Sequence, residues 1–437
     1  MRLRLSPTKV FFLLTWSFSS WGANKPPPTD PEKLPFGVFP SVHTIIESPH
    51  EAENLKAEIK DLSKRVESTV KIFSTRRNIT CFDSPCLIQA FPLLYNSAGS
   101  GFFGGVRANI TNISRTNPNL YSLDASIVRS DTKQWLTSLA IDLPKIEEIP
   151  GKPRLKVRTF YSRSTENRFF GIGPEAIRSE TLPDDVVRYS LKEIGYQSSI
   201  VVPVAKVISD WQFSVFGLLS SIRNRPARLD ESIPSKLFNE HPLGAYEGGT
   251  SSRLGIGFLL DNRDRELFSR EGWALETSIE FADPPILGQY HFRRYSAIDR
   301  HYLSWERYTF ASRLSFDLLE GEVPFWELSG IGGIDPIRDV SGPYLLRAYG
   351  YGRFHEKQKI LWSIDHRYYL SPTRKFGMLW ETMLIPLGID VGRLGEQTAW
   401  SLSTGANFLL NKNFLIRLLA GYSPNGTHYR IAFGQEY

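Results

Sequence analysis

One arginine and two aspartates stand out for what their types and spacing could do: Arg347 in YLLRAYGYGRF, Asp365 in IDHRYYL and Asp390 in LGIDVGRL. A guanidinium facing a carboxylate forms a planar, two-pronged, charge-assisted pair. Asp390 alternates with Ile389 and Val391 and shares a side with Gly388 and Gly392, while Asp365 and Arg367 lie opposite Ile364 and Tyr368. Both acids therefore belong to the polar side of a strand. A connection folding back onto that side could set Arg347 on either acid; the plainer alternative is a solvated loop arginine beside ordinary charges. Cys81 and Cys86, in CFDSPC, can form a local disulfide in an exported chain or remain two thiols; no nearby His or third Cys completes a metal site. Bond-making chemistry has no visible carrier. There is no GxSxG, HExxH or phosphate-binding Gly-Lys loop, and the eight histidines are scattered. We expect no enzyme, no cofactor and no metal.

The elements that must position these groups begin with composition. With 41% hydrophobic and 13% aromatic residues, the 437-residue chain is neither disordered nor a disulfide-dense mini-domain. Of the formal charge of +6, three units (Arg2, Arg4, Lys9) precede residue 24. The near-neutral remainder has no Lys/Arg stripe with interleaved aromatics, which excludes a nucleic-acid partner. Residues 1–23 read as a secretory signal: a basic start, the apolar run Val10 to Trp16, and small residues up to Ala23. Residues 24–47 are a Pro-rich linker. Residues 48–86 hold the cysteine pair and an amphipathic helix, with Leu55, Ile59, Leu62, Val66, Val70 and Phe73 at steps of three and four. That helix could pack on its own protein, at the mouth or in the lumen, or form a short coiled coil. No later run reaches the roughly 18–20 apolar residues of a spanning helix.

From 87 to 437 the period becomes two. Trp273, Leu275, Thr277, Ile279 and Phe281 face one side and Ala274, Glu276, Ser278 and Glu280 the other; Tyr308, Phe310, Leu314 and Phe316 oppose Arg307, Thr309, Arg313 and Ser315. The polar faces are charged along their whole length and the apolar faces carry aromatics at strand ends, as a watery lumen and interfacial girdles require. The last strand sets Tyr429, Ile431, Phe433 and the terminal Tyr437 on one face as a C-terminal strand signal. Unpaired backbone in hydrocarbon costs several kcal/mol per group, so such a sheet should close. We expect an all-β, sixteen-stranded antiparallel transmembrane β-barrel over 87–437 with a short N-terminal helical periplasmic segment. The longest gaps (165–186, 223–251, 319–357) fall on one side, short turns on the other; 187–204 and 376–391 are long enough to hide a bulge.

Four passages resemble a known family, the bacterial surface antigen barrels of BamA/TamA type. ENRFFGIGPEA (166–176), LGIGFLLDNRDRELFSREGW (254–273), YLLRAYGYGRF (344–354) and LGIDVGRL (387–394) are similar to that family's loop and strand motifs. The resemblance implies outer-membrane assembly or translocation of proteins through a lateral seam. It implies an external-loop lock of Leu346, Arg347, Ala348 and Tyr349 with Asp390 and Asp365, and a periplasmic turn motif of Asp261, Arg263 and Asp264. Leu346 and Ala348 stand where the family has Val and Gly, and Gly388 where it has Phe. Residues 24–86 show no strand alternation for the α/β periplasmic domains usual in assembly-type members. The implied partners are outer-membrane lipids and unfolded outer-membrane or secreted proteins, handled by a monomeric barrel in the bacterial outer membrane. The alternative is a passive or gated pore.

Overall fold

The computed structural model describes residues 76–81, 84–97, 101–112, 122–146, 149–173, 187–206, 211–227, 242–245, 247–284, 288–375, 378–410 and 414–433. The expected signal, linker and 48–73 helix, and Tyr437, lie outside them. The described chain forms β1 (Arg76–Cys81), β2 (Ser84–Ser97), β3 (Gly101–Asn112), β4 (Ser122–Ser130), β5 (Trp135–Leu143) and β6 (Arg154–Arg168). There follow β7 (Arg188–Lys206), β8 (Gln212–Ala227), β9 (Gly249–Asp261), β10 (Gly272–Ala282), β11 (Phe292–Trp305) and β12 (Tyr308–Gly321). The last are β13 (Gln358–Tyr369), β14 (Thr373–Lys375), β15 (Met378–Leu394), β16 (Gln397–Leu410), β17 (Phe414–Ser423) and β18 (Gly426–Phe433).

These make one antiparallel sheet of eighteen strands, two more than the alternation indicates. The two additions are short. β1 is six polar-rich residues hairpinned onto β2, and β14 is three residues after Pro372 that pair with β15, so neither is long enough to show a period of two. The other sixteen follow the expected order. Both long strands carry a register shift, between Pro203 and Ala205 in β7 and between Ile385 and Gly388 in β15. The first described strand starts at Arg76, so both cysteines lie within the sheet.

Burial is inverted relative to a protein in water. On β9 and β10, Arg253, Glu276 and Glu280 are at most 5% exposed, while Leu254, Ile256 and Phe258 are each more than 50% exposed. Exposing aliphatic surface to water costs roughly 25 cal/mol per Å², and buried charges are tolerated only when paired. Doing both along whole strands suits a barrel whose outer solvent is hydrocarbon and whose inner face is polar.

Two connections fill the concave side from opposite ends. The 322–357 connection enters from the end of the long loops, and the 262–271 connection enters from the other, seating Leu267 and Phe268 among Tyr369, Met383, Ile385 and Leu415. The first strands also meet the last. Leu93, Phe103 and Val128 share the face of β2–β4 that carries Arg107 and Asp124, opposite the exposed Val106 and Ile127. They pack against Phe408, Leu410, Ile416 and Leu418. Those four continue the outer face of β16 and β17, which is open at Trp400, Leu402 and Tyr422. The concave face of the first strands thus lies over the convex face of the last, apolar side on apolar side.

Ile256 sits mid-strand on the outer face, opposite Gly217 and Ile279. Ile256→Arg should cost about 2–4 kcal/mol in denaturant unfolding from lipid vesicles; a change within about 0.5 kcal/mol would mean that this face meets water.

Candidate functional site: the infolded connection and its anchors

Arg347 lies deep in the 322–357 connection, where Leu346 donates its N–H to the Val340 carbonyl and Tyr349 to the Leu346 carbonyl. This tight turn throws the guanidinium at the wall of β13 and β15. Its Nε reaches Asp390 Oδ1 and Oδ2 at 3.1 and 3.0 Å, and its Nη2 reaches Asp390 Oδ1 at 2.7 Å. Its Nη1 donates to Asp365 Oδ1, and its own backbone N–H donates to Asp390 Oδ2 at 3.1 Å. Ser401 Oγ completes Asp390 at 2.8 Å, and Arg367 holds the other oxygen of Asp365 at 3.0 Å. Burial disfavours the charge on Arg347, but Asp365 and Asp390 outweigh it and hold the guanidinium protonated. The structure brings these three residues together on one buried site.

A second anchor lies one turn into the connection and escaped the sequence reading. Glu327, in the 3-10 turn Phe325–Glu327, accepts from Arg253 Nη1 at 2.9 Å and Arg294 Nη1 at 3.1 Å. Beside it the fully buried Lys359 donates to the carbonyls of Leu328 and Glu356 and pairs with Asp317 at 2.9 Å. A third anchor is backbone. The N–H groups of Gly332, Gly333 and Ile334 donate to Asp317, Glu280 and Glu276. A Cβ on Gly332 would lie 2.2 Å from Glu280 Oε1 and one on Gly333 2.3 Å from Glu276 Oε1, so a side chain at either position would displace a carboxylate that accepts from this backbone. The sequence signal was present in the acids spaced by four on β10 and in the GIGGI run, but nothing in the chain order pairs them. Across the lumen, Asp335 meets Lys156 at 2.7 Å and Arg338 meets Glu193 at 3.0 Å.

At the opposite end Asp261 accepts from the backbone N–H of Arg263 at 3.0 Å and pairs with its guanidinium at 2.7 Å. Asp264 Oδ1 accepts the N–H groups of Arg270 and Glu271, closing that connection on itself. These three residues form no hydrogen bond or ion pair with Arg347, although their connection and the Arg347 turn line one cavity. Tyr429 and Ile431 lie on β18, Tyr429 half exposed and Ile431 against the apolar overlap; Phe433 is in register with Ile416. Cys86 is buried and disulfide-bonded. Among the described residues no group of His, Cys, Asp and Glu is placed to hold a metal.

With this geometry established, comparison is informative. Residues 104–363 match the Omp85 superfamily domain. The chain belongs to the Omp85 superfamily. Among solved structures, CdiB from Escherichia coli shares the fold, with a TM-score of 0.50 at 11% identity over 82% of this chain and 66% of that one. BamA from Haemophilus ducreyi lacking POTRA domains 1-3 is 14% identical over 86% of this chain and 78% of its own, at a TM-score of 0.47. CdiB from Acinetobacter baumannii is 11% identical over 83% of this chain and 65% of its own, at 0.43. No curated protein matches this chain in sequence.

The departures of this Omp85 chain from the motif residues have local reasons. A Cβ at Gly388 would stand 2.7 and 2.8 Å from the two Nη atoms of Arg347, so the missing side chain is the space that the guanidinium fills. Ala348 lies against Gly421 of β17, where a Cβ would come within 2.8 Å of it; a methyl in the loop is matched by a missing methyl in the wall. Leu346 lies over Gly392, whose missing side chain leaves it room.

Removing one partner of a buried charge pair costs about 3–5 kcal/mol. Arg347→Ala and Gly388→Val should therefore both expose the 322–357 connection, raising its trypsin cleavage at Arg338 or Arg353 by about tenfold or more; protection equal to wild type in both would remove the pair from any anchoring part. A pH dependence comes from His355, whose ring edge meets Phe169 at 4.7 Å and whose Nδ1 is buried without a hydrogen bond. Burial, with Lys359 and Arg353 close by, pushes its imidazole down to about 3. The unfolded imidazole protonates near pH 6.5, so the unfolded state takes up a proton that the native state refuses. Stability is full above about pH 6.5 and falls by up to about 1.4 kcal/mol per pH unit on acidification toward the folded value. Thermal midpoints of wild type and His355→Gln should diverge from each other between about pH 7 and pH 5, the variant losing less.

Proposed function

We propose that this Omp85 protein works in the bacterial outer membrane, inserting or translocating unfolded outer-membrane or secreted proteins through a lateral seam between its first and last strands. The observation that supports this reading is the overlap of β2–β4 with β16–β18. A ladder of backbone hydrogen bonds is directional and must be broken bond by bond, whereas apolar faces in contact slide and separate without leaving an unsatisfied donor. Separation would uncover the edge of β18, whose backbone can template an incoming strand. Arg347 and its acids hold the 322–357 connection against the wall of β13 and β15, and Asp261, Arg263 and Asp264 close the periplasmic end. Tyr429, Ile431 and Phe433 on β18, with Tyr437 after them in the sequence, supply the C-terminal strand signal. The barrel acts as a monomer among outer-membrane lipids, with no bond-making step and no cofactor.

A second reading, a gated pore, draws on a cavity of about 500 Å³ between the connection and β3–β8. Its wall holds Ser126, Ser138, Ser198 and Ser220 beside the paired Arg107 and Asp124, a hydrophilic and charge-balanced passage.

In liposomes the purified protein should speed the folding of an unfolded outer-membrane barrel. Bridging Leu93→Cys to Ile431→Cys with a thiol cross-linker should abolish the acceleration, and Arg347→Ala should reduce it. No acceleration by wild type, with ion conductance altered by Arg347→Ala, would sink the insertion reading and leave the pore.

A further inference from the structure

The outer face of β4–β8 changes character at the end nearest the long connections. Arg129 on β4 is directly opposite Trp135 on β5, Trp135 opposite Arg163 on β6, Arg163 opposite Lys192 on β7, and Lys192 opposite Arg225 on β8. Directly opposed residues share a face, and this one is the outer. Arg129, Trp135, Lys192 and Arg225 are exposed, whereas Val128, Leu191 and Asn224, one residue before three of them, are buried. Arg223, opposite the exposed Ile194, adds a fifth cation beside the row. The row runs across strands, so no stretch of the sequence shows it.

These cations have no acid to answer them. Arg129 lies over the Trp135 ring at 5.7 Å, and the Nε–H of Arg163 has no hydrogen-bond partner. Among the described residues none of the five forms an ion pair. The described acids of these strands, Asp124, Asp142 and Glu193, are on the inner face, paired with Arg107, Arg154 and Arg338. Like charges opposed across a ladder repel, yet Arg163, Lys192 and Arg225 stand so in succession. Elsewhere at this end the outer face is balanced, with Arg293 on β11 opposite Glu320 on β12.

Beside the row the surface sinks into an apolar groove of about 580 Å³, rimmed by Val106, Ile127, Tyr161 and Ile194. Small side chains make its floor: Ala108 is opposite Ala125, and Thr159 opposite Leu139. Cations and an interfacial tryptophan bordering an apolar groove match a ligand that is anionic at one end and hydrocarbon at the other. A free anion would leave the groove unused, and a soluble acidic partner would have to displace the bilayer from it.

We propose that β4–β8 bind a lipid whose headgroup carries two phosphate groups, with an acyl chain in the groove. From Arg129 to Arg225 the row crosses four strand spacings, roughly 19 Å, so one headgroup can engage it at two points. Each guanidinium offers a fork of N–H groups matched to a phosphate. The site rests on the reading that this outer face meets lipid.

Native mass spectrometry of the full-length protein in neutral detergent micelles tests it, by titration with lipid A, a bis-phosphorylated disaccharide lipid, beside its phosphate-free counterpart. One lipid A should bind saturably, about tenfold or more tightly than the phosphate-free lipid. Arg163→Gln combined with Lys192→Gln should remove that preference, and Ala125→Phe, which fills the groove and keeps every charge, should weaken both lipids. Should the double variant not fold, Arg225→Gln, at an exposed position, should lower the preference in the same titration. Equal binding of the two lipids by wild type overturns the proposal and leaves the outer face lipid-facing; binding of neither overturns both. A preference unchanged in every charge variant also overturns the proposal.

Discussion

A charge on the concave face of this sheet is enclosed by its own protein, and the outer face is apolar, so every inner charge depends on a partner that the fold itself supplies. Asp317 and Lys359 are fully buried against each other, Arg253 and Arg294 converge on Glu327, and Asp365 and Asp390 converge on Arg347. Taking one partner from such a set leaves an uncompensated buried charge, a larger loss than the set gains over an apolar core. Glu327 and Arg347 belong to the infolded connection and their partners to the wall. Wall and connection are therefore one electrostatic unit, and neither holds its geometry without the other.

That dependence explains what could be read from the chain and what could not. Side chains alternate strictly along a strand, so Ile256, Trp362 and Trp400 declare an outer face and Asp365 and Asp390 an inner one without knowledge of the fold. The same alternation placed the acids opposite Arg347 once the motif passages set that turn near them. Pairing between distant residues has no such period. Glu327 reads as one more loop acid, and the acceptors for Gly332, Gly333 and Ile334 are three carboxylates on β10 and β12 that only the curvature of the sheet brings to one place. Short strands fail for a different reason: three residues in β14 cannot display a period at all. The overlap of β2–β4 on β16–β18 was equally hidden, because Phe408 and Leu410 look the same in sequence whether lipid or another strand covers them.

Glycine sets how closely the connection can approach its wall. At Gly388 the absent side chain is occupied by a guanidinium, at Gly421 by the Ala348 methyl, and at Gly332 and Gly333 by carboxylate oxygens. Packing here is a matter of removing atoms from one surface to admit the other, and substitutions on the two sides compensate in pairs. Ala348 against Gly421 shows why a motif position can change its residue and keep its contact.

The anchors are unevenly distributed around the sheet. The connection is bound by ion pairs to β6, β7, β9, β11, β13 and β15, and by backbone N–H groups on carboxylates to β10 and β12. It reaches β17 and β18 through the Ser423 hydroxyl on the Ala348 carbonyl and the Arg430 guanidinium on the Tyr349 carbonyl. Against β2–β4, the last strands present an apolar overlap instead. Apolar contact is non-directional and tolerates displacement, whereas a buried ion set tolerates almost none. The overlap is therefore the least directional contact around the sheet, and the ion sets on the connection are the most directional.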